Sequence, residues 1–173
     1  VGGRGGAARD VTGERYAGQH AAARAALDAR LVQATTVDDA VRGAAEALRG
    51  VWDAERVDVA VFPTHAAAGS PVPHLVCAGA ESAGWDALPA RTRQAITALC
   101  DGDLLVPDHR GPGTTGIAVP HPKGVLVVHL QLREPRPFTS EELALLTVLG
   151  GRLGHGLQRI HRVDQQRETA LAL

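Results

Sequence analysis

Residues 124–161, GVLVVHLQLREPRPFTSEELALLTVLGGRLGHGLQRIH, read as a strand, a broken turn and a long helix in immediate succession. Val125, Leu126, Val127, Val128, Leu130 and Leu132 make a β-branched and apolar run that opens at Gly124, which is strand composition. Pro135 and Pro137 end it, because proline has no N–H to give to a ladder. The helix start is signalled twice. Thr139 with Glu142 three residues on is a capping-box pattern, and Phe138 with Leu143 has the spacing of a hydrophobic staple. Leu143, Leu146, Leu149, Leu153, Leu157 and Ile160 then recur every three or four residues, one apolar stripe down a helix.

The rest of the chain supplies more helices and strands. Residues 1–13 are glycine-rich and aperiodic, so a mobile tail is expected. Residues 14–33 are Ala-rich, with Leu27, Leu31 and Val32 as the larger apolar groups of a first helix. Thr36 with Asp39 can cap a second helix with the stripe Val41, Ala44, Ala45 and Leu48, and Gly50 is a reasonable stop. RVDVAVF at 56–62 alternates, with Val57, Val59 and Val61 on one face and Asp58, Ala60 and Phe62 on the other, so it predicts a strand. Residues 64–73 are a small-residue and proline loop, and 74–80 a second strand in a hairpin with the first. A third helix is expected over 88–100, a short strand over 104–106 ended by Pro107, and a Gly/Pro loop over 108–114. A strand over 115–119, ended by Pro120, is joined by a tight hairpin to the strand at Gly124. Beyond His161 the helix turns polar, and residues 163–173 read as a helical connector.

One domain is the expectation for 173 residues, and 45% apolar residues suffice for a core, which at 3% aromatics must be built from Val, Leu and Ala. A net charge of −1 argues against bulk attraction to nucleic acid or to an anionic membrane surface, and no run of about 18 apolar residues is present to span a bilayer. Cys77 and Cys100 form neither a disulfide framework nor a CxxC pair, so a reduced, cytoplasmic setting is expected. With no Met, even at position 1, the chain is expected to be a piece of a longer protein.

The element order and several motifs resemble GAF domains, the small sensor modules of signalling proteins. The resemblance spans residues 17–162 and rests on GVLVV followed by PFTSEELALL, on ALCDGDLLVPD and on GIAVPHPKGVLVV. It implies an α/β (α+β) fold: an antiparallel sheet of five to six strands, with the first, second and last helices packed on one face. It also implies a non-catalytic regulatory domain over 14–162, a homodimer made through terminal helices, and a relay along the last helix through Leu146, Leu149, Leu153, Leu157 and Ile160. The final QQRETALAL is similar to the junction that follows GAF domains in bacterial sporulation-E-like metal-dependent serine/threonine phosphatases. That similarity implies a phosphatase output domain in the same chain, with a histidine kinase or cyclase as alternatives.

Chemistry is sparse. The Cys that attaches a bilin in GAF domains is typically followed by His, whereas Cys100 is followed by Asp101 and Cys77 sits mid-strand; both are expected to be structural thiols. His155 and His161 are six apart and do not share a helix face, and His109, His121 and His129 show no ligand spacing. No metal, haem or other cofactor is therefore expected. The NKFDE motif of cyclic-nucleotide GAF domains is missing, the GRGG at Arg4 lacks a P-loop Lys, and no nucleophile with a base can be assembled, so no catalytic residue is assigned. Ligand-binding GAF domains cover their pocket with a helical excursion; here about six residues separate Asp108 from the next strand. A pocket is expected to be shallow, closed by side chains or absent. If one exists, Trp85, Asp108, His109, Val127 and His129 are its candidate lining; the simpler reading has His129 and Gln131 facing water. An unidentified small ligand and a Cys-based redox enzyme are the rival readings. Finally, Gly150, Gly151, Gly154 and Gly156 each cost about 1 kcal/mol relative to Ala in a helix. Their cluster predicts close packing of the last helix on the Ala-rich first helix, within the chain or across a dimer.

Overall fold

The computed structural model describes residues 4–64, 72–81 and 84–172. The elements are α1 (Arg4–Gln33), α2 (Val37–Trp52), β1 (Arg56–Pro63), β2 (His74–Ala78), α3 (Ala90–Asp101), β3 (Asp108–Gly111), β4 (Thr114–His121), β5 (Gly124–Gln131) and α4 (Ser140–Ala172), with a single 3-10 turn over Trp85–Ala87 before α3. The five strands form one sheet in the order β2-β1-β5-β4-β3, and every neighbouring pair is antiparallel. The first, second and last helices lie on one face and α3 on the other.

Alternation in the strands decides what each face holds. On the face under α2 and α4, Val57, Val59, Ile117, Val119, Leu126, Val128 and Leu130 pack with Leu145, Leu146, Leu149, Leu153 and Leu157 of α4 and with Val41, Ala44 and Leu48 of α2. On the other face, Ala60, Ala118 and Val127 are covered by Leu88, Ile96 and Leu99. Both faces are thus buried, which is why β5 reads as a continuous apolar run. Burying each large aliphatic side chain contributes about 1.5–3 kcal/mol.

Both expected N-caps form. Thr36 Oγ1 accepts from the Asp39 N–H at 3.1 Å. At α4 the box is reciprocal: Thr139 Oγ1 accepts from the Glu142 N–H at 3.2 Å, and Glu142 Oε1 accepts from the Thr139 N–H at 3.0 Å.

Several boundaries differ from expectation. The helix expected from residue 14 begins at Arg4 and runs through the glycine-rich stretch expected as a tail; once a helix is nucleated, each added residue brings one more hydrogen bond. Gly50 does not stop α2, which ends at Asp53 in the left-handed conformation at φ 46. Residues 104–106 are not a strand, because Leu105 is also left-handed at φ 61; its N–H still reaches the Ala118 carbonyl at 2.8 Å. The ladder resumes within the expected loop, as β3 at Asp108–Gly111. Pro120 does not end β4, which pairs on to His121 opposite Gly124. The loop expected over 64–73 lies largely outside the described residues.

The four glycines of α4 do not share one cause. A Cβ on Gly156 would lie 2.8 Å from Leu31 Cδ1, so this glycine does admit α1. Gly150 and Gly154 instead admit the sheet: their Cβ atoms would lie 3.2 Å from Ile117 Cδ1 and 3.3 Å from Val119 Cγ1. Among the described residues, nothing lies within 4 Å of a Cβ on Gly151. α1 therefore packs beside α4 within the chain, as expected, but the sheet accounts for two of the glycines and neither neighbour for the fourth.

Candidate functional site

The strand registers bring one polar row across the face under α3. Cys77 pairs with Asp58, Asp58 with His129, His129 with Gly116 and Gly116 with Asp108, so the row crosses all five strands. Asp58 is 2% exposed and His129 6%. Arg56 Nε donates to both Asp58 carboxylate oxygens, at 2.8 and 2.9 Å. The Cys77 thiol donates to Asp58 Oδ1 at 2.8 Å, and Arg56 Nη2 donates to Cys77 Sγ at 3.3 Å. A buried carboxylate is costly unless paired and hydrogen-bonded, and Arg56 with Cys77 meets both conditions. His129 is less complete: its Nδ1 is buried with no hydrogen-bond partner among the described residues.

The electrostatics follow this geometry. Burial pushes the Cys77 thiol up, and the hydrogen bond to Asp58 and that carboxylate's charge push it further, against the opposing Arg56. Burial, then Asp101, push the Cys100 thiol up. Since the thiolate is the nucleophile, both cysteines are poorly set for redox or nucleophilic chemistry. His129 is pushed down by burial, with Asp58 and Asp108 pulling the other way and Arg56 adding to the depression.

The expected pocket residues are only partly gathered. Asp108 and His129 share the polar row, two registers apart across Gly116. Val127 is on the same strand face as His129 and fully buried under α3. Trp85 is elsewhere on that face, edge-on to Phe62 at 5.8 Å between ring centroids. His109 lies in β3; its side chain is outside the described residues. His129 does not face water, whereas Gln131 does. Arg56, Asp58 and Cys77 were not among the expected site residues. Their one trace in the sequence is a carboxylate in the middle of a Val-rich strand, directly opposite a histidine once the register is known.

Little room remains on this face. The β3–β4 connection is a tight turn at Gly111–Thr114, with no helical excursion, and a Cβ on Gly116 would meet Leu99 Cδ1 at 2.5 Å. A groove of about 710 Å³ lies on the opposite side, between α1, α2 and the start of α4, bordered by His20, Arg30, Glu46, Trp52, Arg136 and Glu142. The stripe Leu146, Leu149, Leu153, Leu157 and Ile160 is 0–7% exposed and belongs to the domain's own core. Among the described residues no group of three or more His, Cys, Asp or Glu could hold a metal ion, and no helix is long and apolar enough to cross a membrane.

Solved structures share this arrangement. The GAF domain of an Acinetobacter phosphoenolpyruvate-protein phosphotransferase superposes with a TM-score of 0.58 at 9% identity, over 84% of this chain and 97% of its own. The chain has a GAF-like fold. A methyl-accepting chemotaxis protein segment, residues 122 to 287, matches with a TM-score of 0.56 at 13% identity over 79% of this chain and 98% of its own. A biliverdin IXa-bound protein in its far-red-absorbing dark state matches at 0.54 and 13% identity, over 80% of this chain and 99% of its own. No protein-family model and no curated protein matches the sequence. At these identities the likeness establishes the GAF-like fold alone.

Proposed function

We propose that this GAF-like domain is a non-catalytic regulatory module of a bacterial signalling protein, which dimerises and passes a packing state of α4 to an output domain in the same chain. The observation that carries this reading is the division of α4. Its stretch up to Ile160 is locked into the core, whereas residues 162–172 continue as one helix with every side chain exposed. A helix half inside a core and half outside can report a shift in packing over distance. The resemblance of QQRETALAL supports a sporulation-E-like phosphatase as that output domain. The raised cysteine pKa values support the absence of redox chemistry in the domain.

A second reading, a small-molecule sensor, is favoured by the His129 Nδ1, which has no hydrogen-bond partner among the described residues. The filled face beneath α3 weighs against any sizeable ligand there. Native mass spectrometry of the purified chain separates the two. The expected spectrum is a dimer of unmodified mass; a discrete adduct lost on denaturation would replace the relay reading with the sensor, and a bare monomer would remove the dimer.

A further inference from the structure

We propose that His129 is a proton-binding site of this domain, set between Asp58 and Asp108 in the cross-strand row, and that the β3–β4 hairpin carries its charge state to the start of α4. The site is built from the sheet itself. His129 is 6% exposed and its Nδ1 has no hydrogen-bond partner among the described residues. Its neighbour on β4 is Gly116, and the volume above Gly116 is held by Leu99, whose Cδ1 lies 2.5 Å from where a Cβ would stand. A space so filled has little room for an organic ligand, and the proton is the smallest cation the imidazole can take up. Among the described residues, the charged and titratable groups facing the ring are Asp58 and Arg56 from β1 and Asp108 from β3, with Cys77 of β2 beyond Asp58. β4 presents only Gly116 there, and α3 presents Leu99. Among the described residues, two carboxylates against one guanidinium, itself engaged with Asp58, favour a cation at His129; burial disfavours it. That balance makes proton uptake conditional on pH rather than forbidden.

The path outward is backbone. Asp108 opens β3, and the hairpin tip is tied to the segment leading into α4: the Gly113 N–H donates to the Arg136 carbonyl at 2.7 Å, and the Leu132 N–H donates to the Gly113 carbonyl at 2.8 Å. Gly113 has φ +75, and a Cβ there would lie 3.0 Å from Pro135 Cα, so the tip and this segment are in direct contact. Arg136 then holds both carboxylate oxygens of Glu142 at 2.8 and 3.0 Å, and Glu142 caps Thr139. A shift of β3 toward or away from a charged His129 is thereby delivered to the α4 cap. Proton uptake at His129 does not depend on the regulatory reading; only its consequence for an output domain does.

The test is an NMR titration of the histidine rings of the purified chain from pH 8 to 4.5, with His129→Gln to assign the resonance, alongside denaturant unfolding and amide-exchange protection of both proteins. The His129 ring should titrate below the ordinary value of 6.5. Because its folded pKa is depressed, stability is full above 6.5 and lost as pH falls. The folding equilibrium constant of the wild type should fall relative to His129→Gln, by up to about thirtyfold at pH 5, the limit for a group that takes no proton when folded. Protection at the Gly113 and Glu142 amides should fall about tenfold in the wild type at that pH and hold in the variant. A ring midpoint at 6.5, a ring that does not titrate down to pH 4.5, or a pH-independent stability difference overturns the proton site; a depressed midpoint with unchanged protection at both amides overturns the hairpin path. If His129→Gln does not fold, Asp108→Asn serves: it should move the His129 midpoint further down, and an unmoved midpoint removes Asp108 from the site.

Discussion

Position by position, α4 separates residues that composition cannot. Gly151 has open space around it among the described residues, so Gly151→Ala should stabilise the folded chain by about 1 kcal/mol, the helix-propensity difference. Gly156→Ala would gain the same amount but drive a Cβ to 2.8 Å from Leu31, itself 4% exposed; overpacking costs about 1–3 kcal/mol, so net destabilisation is expected. Urea unfolding of the two variants checks both signs. If Gly151→Ala also destabilises, or dissociates a dimer, a partner chain covers that face. The sequence marks all four glycines as costly and offers one reason for them; only the neighbours distinguish sheet, helix and solvent. The polar row was hidden for a related reason. His129 looked solvent-facing because strand alternation shows that two faces differ, not which of them water reaches. Asp58 passed unremarked because its partners Arg56, Cys77 and His129 meet only through the β1–β2 and β1–β5 registers.

Among the elements, the start of α4 was the most legible and also the most connected. The box of Thr139 and Glu142 is a local pattern within four residues, so sequence spacing suffices to find it. Its third member is not local in that sense: the Arg136 side chain reaches Glu142 and stacks 5.8 Å over the Phe138 ring, and the Arg136 carbonyl accepts from the Gly113 N–H of the β3–β4 hairpin. Thr139→Ala should cost about 1 kcal/mol, typical of a lost N-cap. Burial raises the Glu142 pKa, but hydrogen bonds from Arg136 and from the Thr139 backbone outweigh it and hold the carboxyl below 4.5. A depressed carboxyl stabilises above its unfolded pKa, and this contribution is lost as pH falls through the folded value. Thr139→Ala leaves the backbone N–H in place and removes the smaller contribution of the Thr139 hydroxyl, so the variant should show a slightly shallower stability loss than the wild type below pH 4.5, read from thermal melts at stepped pH. Equal slopes would mean that Arg136 and the backbone N–H at position 139 set the Glu142 pKa without the hydroxyl. The short strand misplaced at 104–106 is the opposite case: apolar composition predicted extension, and the left-handed Leu105, with its side chain packed against the Gly150 side of α4, overrode it.

For the whole molecule, the question is which part of the chain stabilises the domain and which part serves something outside it. The two cores lie on either side of one sheet and close without residues 162–172, whose side chains are all exposed. Exposed helical residues of this kind contribute little once the packed part of the helix is formed. Truncation after Arg162 should therefore leave the unfolding free energy within about 0.5 kcal/mol of the full chain. The same truncation bears on association. The apolar stripe to Ile160 is used up inside the domain, while Val163 and Leu171 remain 44% and 88% exposed on the continuing helix. If the dimer is made along that helix, the truncated chain should sediment as a monomer at concentrations where the full chain sediments as a dimer. A truncated chain that remains dimeric would move the interface to the face around Val148 and Gly151, where an exposed valine sits beside the glycine that no described residue explains. A large loss of stability would instead show that the outer helix is part of the domain rather than its connector.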